Sequence, residues 1–385
     1  MPCPRCGEAV PAARWPVDGA IQAGLPSVKS AGIREGAPPG DKATAAKPDH
    51  ASANRRTALV ILGIMCAMGS IGLSYALCTT DIRQARHPWM PKKLEPIAFR
   101  RPLDLPGLRY LPKDCKLVAG LHVAEMVGDE KAGKKLLAEP RPAILDWSLK
   151  QIARTTGMTP EEIDHVVLGA ADFSQLVLVV KARGKVSLEK IAEAKPIRSE
   201  VYQNKPLYEF SLKPAGEALL WCVDDQTIVS ILRLDAPKVE QLQSIAPSGR
   251  PIAEVLPAPL HEAVKERLPK HNFAWAAGRI DQLGTMRLLL PMLGGQADFG
   301  ALNETKTFAV SLAPVDGLTL TGHFNAIDAK AAAKLQARLE DVKLEGATSK
   351  VEATPSEAPE QWVSWQLRSD AATMRSWLGA KEPNR

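Results

Sequence analysis

Cysteine and histidine are the side chains of this 385-residue chain best suited to chemistry, and there are 6 of the first and 7 of the second. Cys3 and Cys6, in MPCPRCGEAV, form a C-P-x-C-G knuckle, a tight turn that aims two thiolates at one Zn²⁺ ion. Tetrahedral zinc takes four ligands, yet no second C-x-x-C follows. Cys66 and Cys78 lie in or beside an apolar run, and Cys115 and Cys222 are far downstream. Three readings of the pair stay open: a remnant that binds nothing, half a zinc site completed by another copy, and a redox pair. All three suit a reducing compartment, where exposed thiols persist. Nothing in the sequence brings Cys115 and Cys222 within the ~7 Å Cα separation that a disulfide needs.

The histidines after residue 100, His122, His165, His261, His271 and His323, are scattered, and only His122 and His323 fall within strand-like runs. None belongs to an H-E-x-x-H pattern, and the chain has no G-x-S-x-G elbow, no phosphate-binding Walker loop and no G-x-G-x-x-G after a strand. Asp224-Asp225 sits between two apolar runs and reads as a hairpin turn. Thr159-Pro160-Glu161-Glu162 reads as a capping box, with Thr at the N-cap, Pro at the first helical position and Glu at the third. No catalytic or cofactor-binding residues are assigned.

Residues 58–78, ALVILGIMCAMGSIGLSYALC, carry no charge. As a helix they span roughly 30 Å, the thickness of a bilayer core, and read as one transmembrane helix. The 57 residues before it are too many for the n-region of a signal peptide. Gly63 with Ala67, and Gly72 with Ala76, place small residues four apart, a surface that permits self-association. Four basic residues flank each end: Lys42, Lys47, Arg55 and Arg56 before, Arg83, Arg86, Lys92 and Lys93 after. The charge rule for orientation is therefore tied. The thiol pair breaks the tie, giving an inner-membrane protein that crosses once, with the tail cytoplasmic and the remainder extracytoplasmic.

Residues 1–57 are rich in Pro, Ala and Gly without periodicity and read as a disordered cytoplasmic tail carrying the knuckle. Residues 79–109, with five prolines and several basic residues, read as an extended stalk. Of the charged residues, 14 Lys/Arg and 7 Asp/Glu lie in 1–102, leaving 35 and 36 for 103–385. The larger part is neutral and lacks the cationic footprint of a nucleic-acid binder.

The remainder repeats. Leu111-Pro112-Lys113 aligns with Leu268-Pro269-Lys270 at an offset of 157, each before an apolar strand-like run. The hairpin pattern from His165 parallels that from Lys306, with Val166 over Thr307 at an offset of 141. Arg233-Leu234-Asp235-Ala236 parallels Arg368-Ser369-Asp370-Ala371 at an offset of 135. Ser187 and Asp328 cap the helices after the hairpins. The expected fold is α+β: two diverged repeats of antiparallel sheet with helices on one face, residues 110–250 and 268–385, joined by a linking segment 251–267. That segment carries Ile252, Val255, Leu256, Leu260 and Val264 at near-helical spacing, which favours one continuous sheet built from both copies.

Over residues 1–7 the knuckle resembles the first half of a zinc ribbon, similar to the short ribbons that open many bacterial membrane proteins. Residues 110–379 resemble duplicated α+β regions of uncharacterised single-pass bacterial envelope proteins, whose copies begin with a similar L-P-x-[DN] strand start. The second copy departs from that pattern at His271, where the first has Asp114. The resemblance implies no known activity. The expectation is a membrane-anchored, non-enzymatic binding or scaffold protein with a protein partner or self-association. The alternative is a hydrolase or other enzyme with a site in the cleft between the repeats.

Overall fold

The computed structural model describes residue 97 and residues 99–377, apart from 140, 173–174, 212–216, 234–238, 246–248, 281–303, 343–345 and 356–359. All of these belong to one compact unit, Asp49–Arg385. Cys3, Cys6, the tail 1–57, the apolar run 58–78 and residues 79–96 lie outside the described residues.

Twelve strands are described: β1 Leu117–Leu121, β2 Ile163–Asp172, β3 Gln175–Ala182, β4 Arg198–Tyr202, β5 Lys205–Ser211, β6 Glu217–Cys222, β7 Thr227–Arg233, β8 Ala274–Arg279, β9 Thr305–Ala313, β10 Leu318–Ala326, β11 Thr348–Ala353 and β12 Gln361–Ser369. They form a single sheet in the order β11-β12-β10-β9-β8-β1-β2-β3-β7-β6-β5-β4. Every ladder in it is antiparallel. The helices are few and mostly short: α1 Val123–Gly128, α2 Gly133–Leu137, α3 Ala143–Thr156, α4 Leu188–Glu193, α5 Ile252–Val255, α6 Ala258–Arg267, α7 Ala329–Glu340 and α8 Ala371–Trp377.

This overturns the expected fold class. The described residues make one 12-stranded antiparallel sheet, not two α+β repeats, and it is covered on both faces. The front face holds Leu168, Val310, Leu320 and Trp365 against α1, α2, α7 and α8, and Val166, Tyr208 and Leu220 against α3 and α4. The back face holds Val118, Val167, Val179, Trp221 and Trp275 against α5, α6 and residues Leu105, Leu108 and Leu111. Successive strand residues point to opposite faces, so a strand apolar at every position, such as Leu176 to Val180, requires cover on both. Among the described residues no helix is long and apolar enough to cross a membrane.

Local sequence explains the punctuation. Ser187 accepts a hydrogen bond from the amide of Lys190 and caps α4, and Asp328 accepts one from Ala331 and caps α7. Gln203 and Asn204 take φ of 48° and 60°, the paired left-handed residues of a two-residue hairpin turn between β4 and β5. The Thr159–Glu162 capping box forms, on a single 3-10 turn.

Near the middle of the sheet lies the β1–β8 ladder. A Cβ added at Gly120 would lie 2.3 Å from the indole Nε1 of Trp275, so glycine is what lets this ring lie flat across β1. Residues 102–110 pack as two 3-10 turns, Pro102–Asp104 and Pro106–Tyr110, with Leu105 and Leu108 fully enclosed. Burying one leucine is worth about 1.5–3 kcal/mol, so these side chains supply most of the adhesion of this strap. Its polar contacts supply the direction.

Candidate functional site

The strap meets the sheet where β1 ends and β2 begins, at a group of ionisable side chains made of Arg100, His122, Glu125, Asp164 and His165. β1 stops at Leu121, and His122 becomes the N-cap of α1, its amide donating to the carbonyl of Phe273 at the start of β8. One turn later Glu125 comes round beneath it, because residues three apart share a helix face. His122 Nδ1 lies 3.0 Å from Glu125 Oε1, and both side chains are almost wholly buried, at 2% and 4% exposed. The same Oε1 accepts the backbone amide of Arg100 at 3.0 Å. An ionised carboxylate only accepts, so the Nδ1 of His122 carries the shared proton.

On β2 the register slips between Ile163 and His165, and this irregularity sets Asp164 beside its neighbour. Asp164 Oδ2 bonds His165 Nδ1 at 2.8 Å and also pairs with the guanidinium of Arg100. The far nitrogen of His165, Nε2, accepts the amide of Gly107 at 3.1 Å. A ring nitrogen that accepts carries no proton, so His165 is the neutral tautomer with its proton on Nδ1. Burial lowers the pKa of His165, against the bond and charge of Asp164, while the nearby charge of Arg100 lowers it further. Burial alone would raise the Asp164 carboxyl. The hydrogen bond donated by His165, with the bond and charge of Arg100, outweighs it and holds the carboxyl below its ordinary value.

Two hydrogen bonds and an ion pair therefore run from the strap, at Arg100 and Gly107, to a buried set of two histidines and two carboxylates. One atom of the set is left over. His122 Nε2 is buried and has no hydrogen-bond partner. Held by Glu125 at Nδ1, that ring has the orientation of a general base or a metal ligand. Among the described residues, however, no group of three or more His, Cys, Asp or Glu is arranged to hold a metal ion.

The other candidate residues stay apart. His323 on β10 bonds the hydroxyl of Ser364 on β12 at 2.8 Å. Burial pushes its pKa down to about 4, helped by the charge of Arg267 and opposed by that residue's backbone bond. Arg267 itself stacks on the ring of Trp362, 4.8 Å away. His271 is exposed and meets the edge of Phe99, with the ring centres 5.6 Å apart. His261 lies on α6, on the back of the sheet. Asp224 and Asp225 form the β6–β7 turn, with Asp224 Oδ1 accepting the amide of Gln226 at 2.7 Å. Cys115 and Cys222 are free and buried, Cys115 in the back core and Cys222 in the front core, so the sheet separates them.

Arg100, Glu125 and Asp164 were not singled out from the sequence. Asp164-His165 stand side by side in it, and His122 precedes Glu125 by one helical turn, so a titratable pair was visible at each place. Their convergence was not, because it depends on β1 pairing with β2. No family model matches the chain, and no curated protein or solved structure is similar to it.

Proposed function

We propose that this is a membrane-anchored envelope protein whose sheet serves as a binding or scaffold module without a catalytic reaction of its own. The observation that carries the reading is the strap. The histidines and carboxylates that could have formed a reactive site are used, apart from His122 Nε2, to fasten residues 100 and 107 to the sheet. That junction is where the chain arrives from its N-terminal part, which contains the uncharged run 58–78. A stiff fastening there suits a platform presented at fixed geometry to a partner. The near-neutral balance of residues 103–385 supports a protein partner over nucleic acid.

The test is to express the full chain in a bacterium, wash the membranes with alkaline carbonate, and fuse alkaline phosphatase to Arg385. Retention in the washed membranes and an active fusion are expected. Release by carbonate would remove the anchor, and an inactive fusion would place the sheet in the cytoplasm.

A second reading rests on His122 Nε2 alone: general-base catalysis by the His122–Glu125 pair. A hydrolase screen over ester, phosphoester and peptide substrates, with His122→Gln beside the unaltered chain, decides it. Turnover lost in His122→Gln would replace the scaffold reading.

A further inference from the structure

We propose that the strap is a latch opened by acid: a proton taken up at His165 Nε2 removes the acceptor of the Gly107 amide, Asp164 exchanges Arg100 for the new imidazolium, and residues 100–108 come away from the sheet. The argument starts from one hydrogen bond of fixed polarity. The Gly107 amide donates to His165 Nε2 at 3.1 Å, and both groups are buried. A protonated Nε2 is itself a donor, so two N–H groups then face each other with no acceptor between them. There is little room to turn aside. A Cβ at Gly107 would lie 2.9 Å from both Nε2 and Val167, so the strap fits here without slack.

The charged groups round the ring set the exchange. On its own strand Asp164 Oδ2 lies 2.8 Å from Nδ1, and the same oxygen holds the guanidinium of Arg100. From the end of β1 and from α1 come His122 and Glu125, bonded to each other and, through Glu125 Oε1, to the Arg100 amide. Opposite His165 on β3 stands Lys181, whose ammonium is taken by Asp224 at 3.7 Å and by the hydroxyl of Thr227 at 3.1 Å. The other charged residues of the strap, Arg101, Asp104 and Arg109, are exposed. With the strap closed, the carboxylate that touches the imidazole is therefore already held by a guanidinium. With the strap open, Arg100 leaves and Asp164 is free for the imidazolium.

That difference gives the latch its sign. In the closed form burial, with the charge of Arg100, lowers the pKa of His165 from the ordinary 6.5, against the bond and charge of Asp164. The open form binds a proton that the closed form refuses, so closure is at full strength above pH 6.5 and weakens as the pH falls toward the closed-form value. One such site changes the opening constant by at most about tenfold per pH unit. The strap belongs to no ladder and can leave without breaking the sheet. Its far end stays tied by the Arg250 amide, which donates to the Arg109 carbonyl at 2.9 Å, and acts as the hinge. On the scaffold reading, acid thus loosens the platform from its mount. That consequence rests on the scaffold reading, whereas the latch does not.

The test is hydrogen exchange read by mass spectrometry on the full chain in detergent micelles, at pH 7.5 and pH 5.5, with protection taken relative to the unfolded rate at each pH. Protection over residues 100–108 is expected to lie at least about tenfold below that of β3 at both values, the mark of a local opening. It is expected to fall about three- to tenfold between pH 7.5 and pH 5.5. In His165→Gln, whose side-chain oxygen can accept the Gly107 amide and takes up no proton, the fall is expected to shrink to less than about twofold. Strap protection equal to that of β3 means that the strap opens only when the whole sheet does, and overturns the proposal. Protection that is flat between the two pH values also overturns it, and both outcomes are read on the unaltered chain even if the variant does not fold. A folded His165→Gln that loses as much protection as the unaltered chain places the proton elsewhere and overturns it too. A chain whose strap opens as expected but which washes out of membranes sinks the anchored reading and leaves the latch standing.

Discussion

Ala119 and Ala276 face each other across the β1–β8 ladder, and they are 157 residues apart, the separation at which the two L-P-K motifs recur. Residues equivalent by sequence thus sit opposite each other in space, as they do when an approximate two-fold axis crosses a sheet. Bonds on either side of this pair match. The amide of His122 donates to Phe273 and that of Arg279 to Lys116, and each donor and acceptor changes place with its counterpart 157 residues away. Cys115 and Asn272, also 157 apart, are both buried and both donate to the carbonyl of the proline three residues earlier, Pro112 and Pro269.

Because the axis lies inside the sheet, neither half is a finished structure. Residues 97–250 expressed without 251–385 would expose the edge of β1 and lose α5 and α6 from the back core, including Val255, Leu260 and Val264. The expected outcome is an aggregating fragment with no cooperative melting transition by circular dichroism. A soluble monomeric fragment that melts in one sharp step would mean that the β1–β8 ladder is dispensable.

Much of this arrangement was legible in short stretches. The ladder registers reproduce the offset of 157 between β1 and β8, and that of 135 between β7 and β12, where Ile228 and Val363 occupy matching positions beside Val180 and Phe324. The hairpin alignment was one residue out. Leu168 opposite Ala119 corresponds to Val310 opposite Ala276, an offset of 142, so Val166 matches Phe308 and not Thr307. A slip of one residue exchanges the faces of a strand, and Thr307 indeed turns away from the front core that holds Phe308. Cover on both faces is written in the unbroken apolar run Leu176 to Val180 of β3, since a strand with one face in water would alternate. The strap escaped because prolines and arginines in residues 79–109 suggest an exposed connector. Only the packing of Leu105 and Leu108 gives Arg100 its partner.

Removing that partner has a definite cost. Arg100→Ala leaves Asp164 bonded to His165 alone and is expected to lower stability by about 2 kcal/mol, the usual loss when a largely buried charged acceptor is deprived of a donor. Gly107→Ala should act at the other end of the strap, since a Cβ there would lie 2.9 Å from both His165 Nε2 and Val167. Urea midpoints for the two variants and their double mutant check this. A double mutant no less stable than Arg100→Ala alone would show that both act on one latch, whereas full additivity would separate them.

The two thiols in the sheet should be silent. Burial pushes the Cys115 and Cys222 thiols up to about 12, with the charge of Arg250 acting the other way on Cys115. The thiolate is the nucleophile, so at pH 8 almost none is present. Alkylation of the native protein with iodoacetamide, followed by peptide mass spectrometry, should leave both unmodified, and both should react in urea. Rapid native labelling of either would mean that its face of the sheet opens.

Acid sensitivity should come first from histidine. The imidazole of His323 titrates at about 4 in the folded chain against 6.5 when free, and that of His165 is also lowered. In each case the unfolded chain binds a proton that the folded chain refuses, so stability is full above pH 6.5 and falls as the pH drops toward the folded value. The shift of His323 corresponds to at most about 3 kcal/mol, reached near pH 4. Asp164 acts lower. Its folded pKa lies below the ordinary 3.8, so its contribution is complete above that value and is lost only as the pH falls further. Urea denaturation at intervals from pH 7 to pH 4 should therefore show a steady decline, and His323→Gln should flatten it while keeping a polar partner for Ser364. If the variant declines as steeply as the unaltered protein, His323 is not the group that resists protonation, and the slope belongs to His165 and the strap.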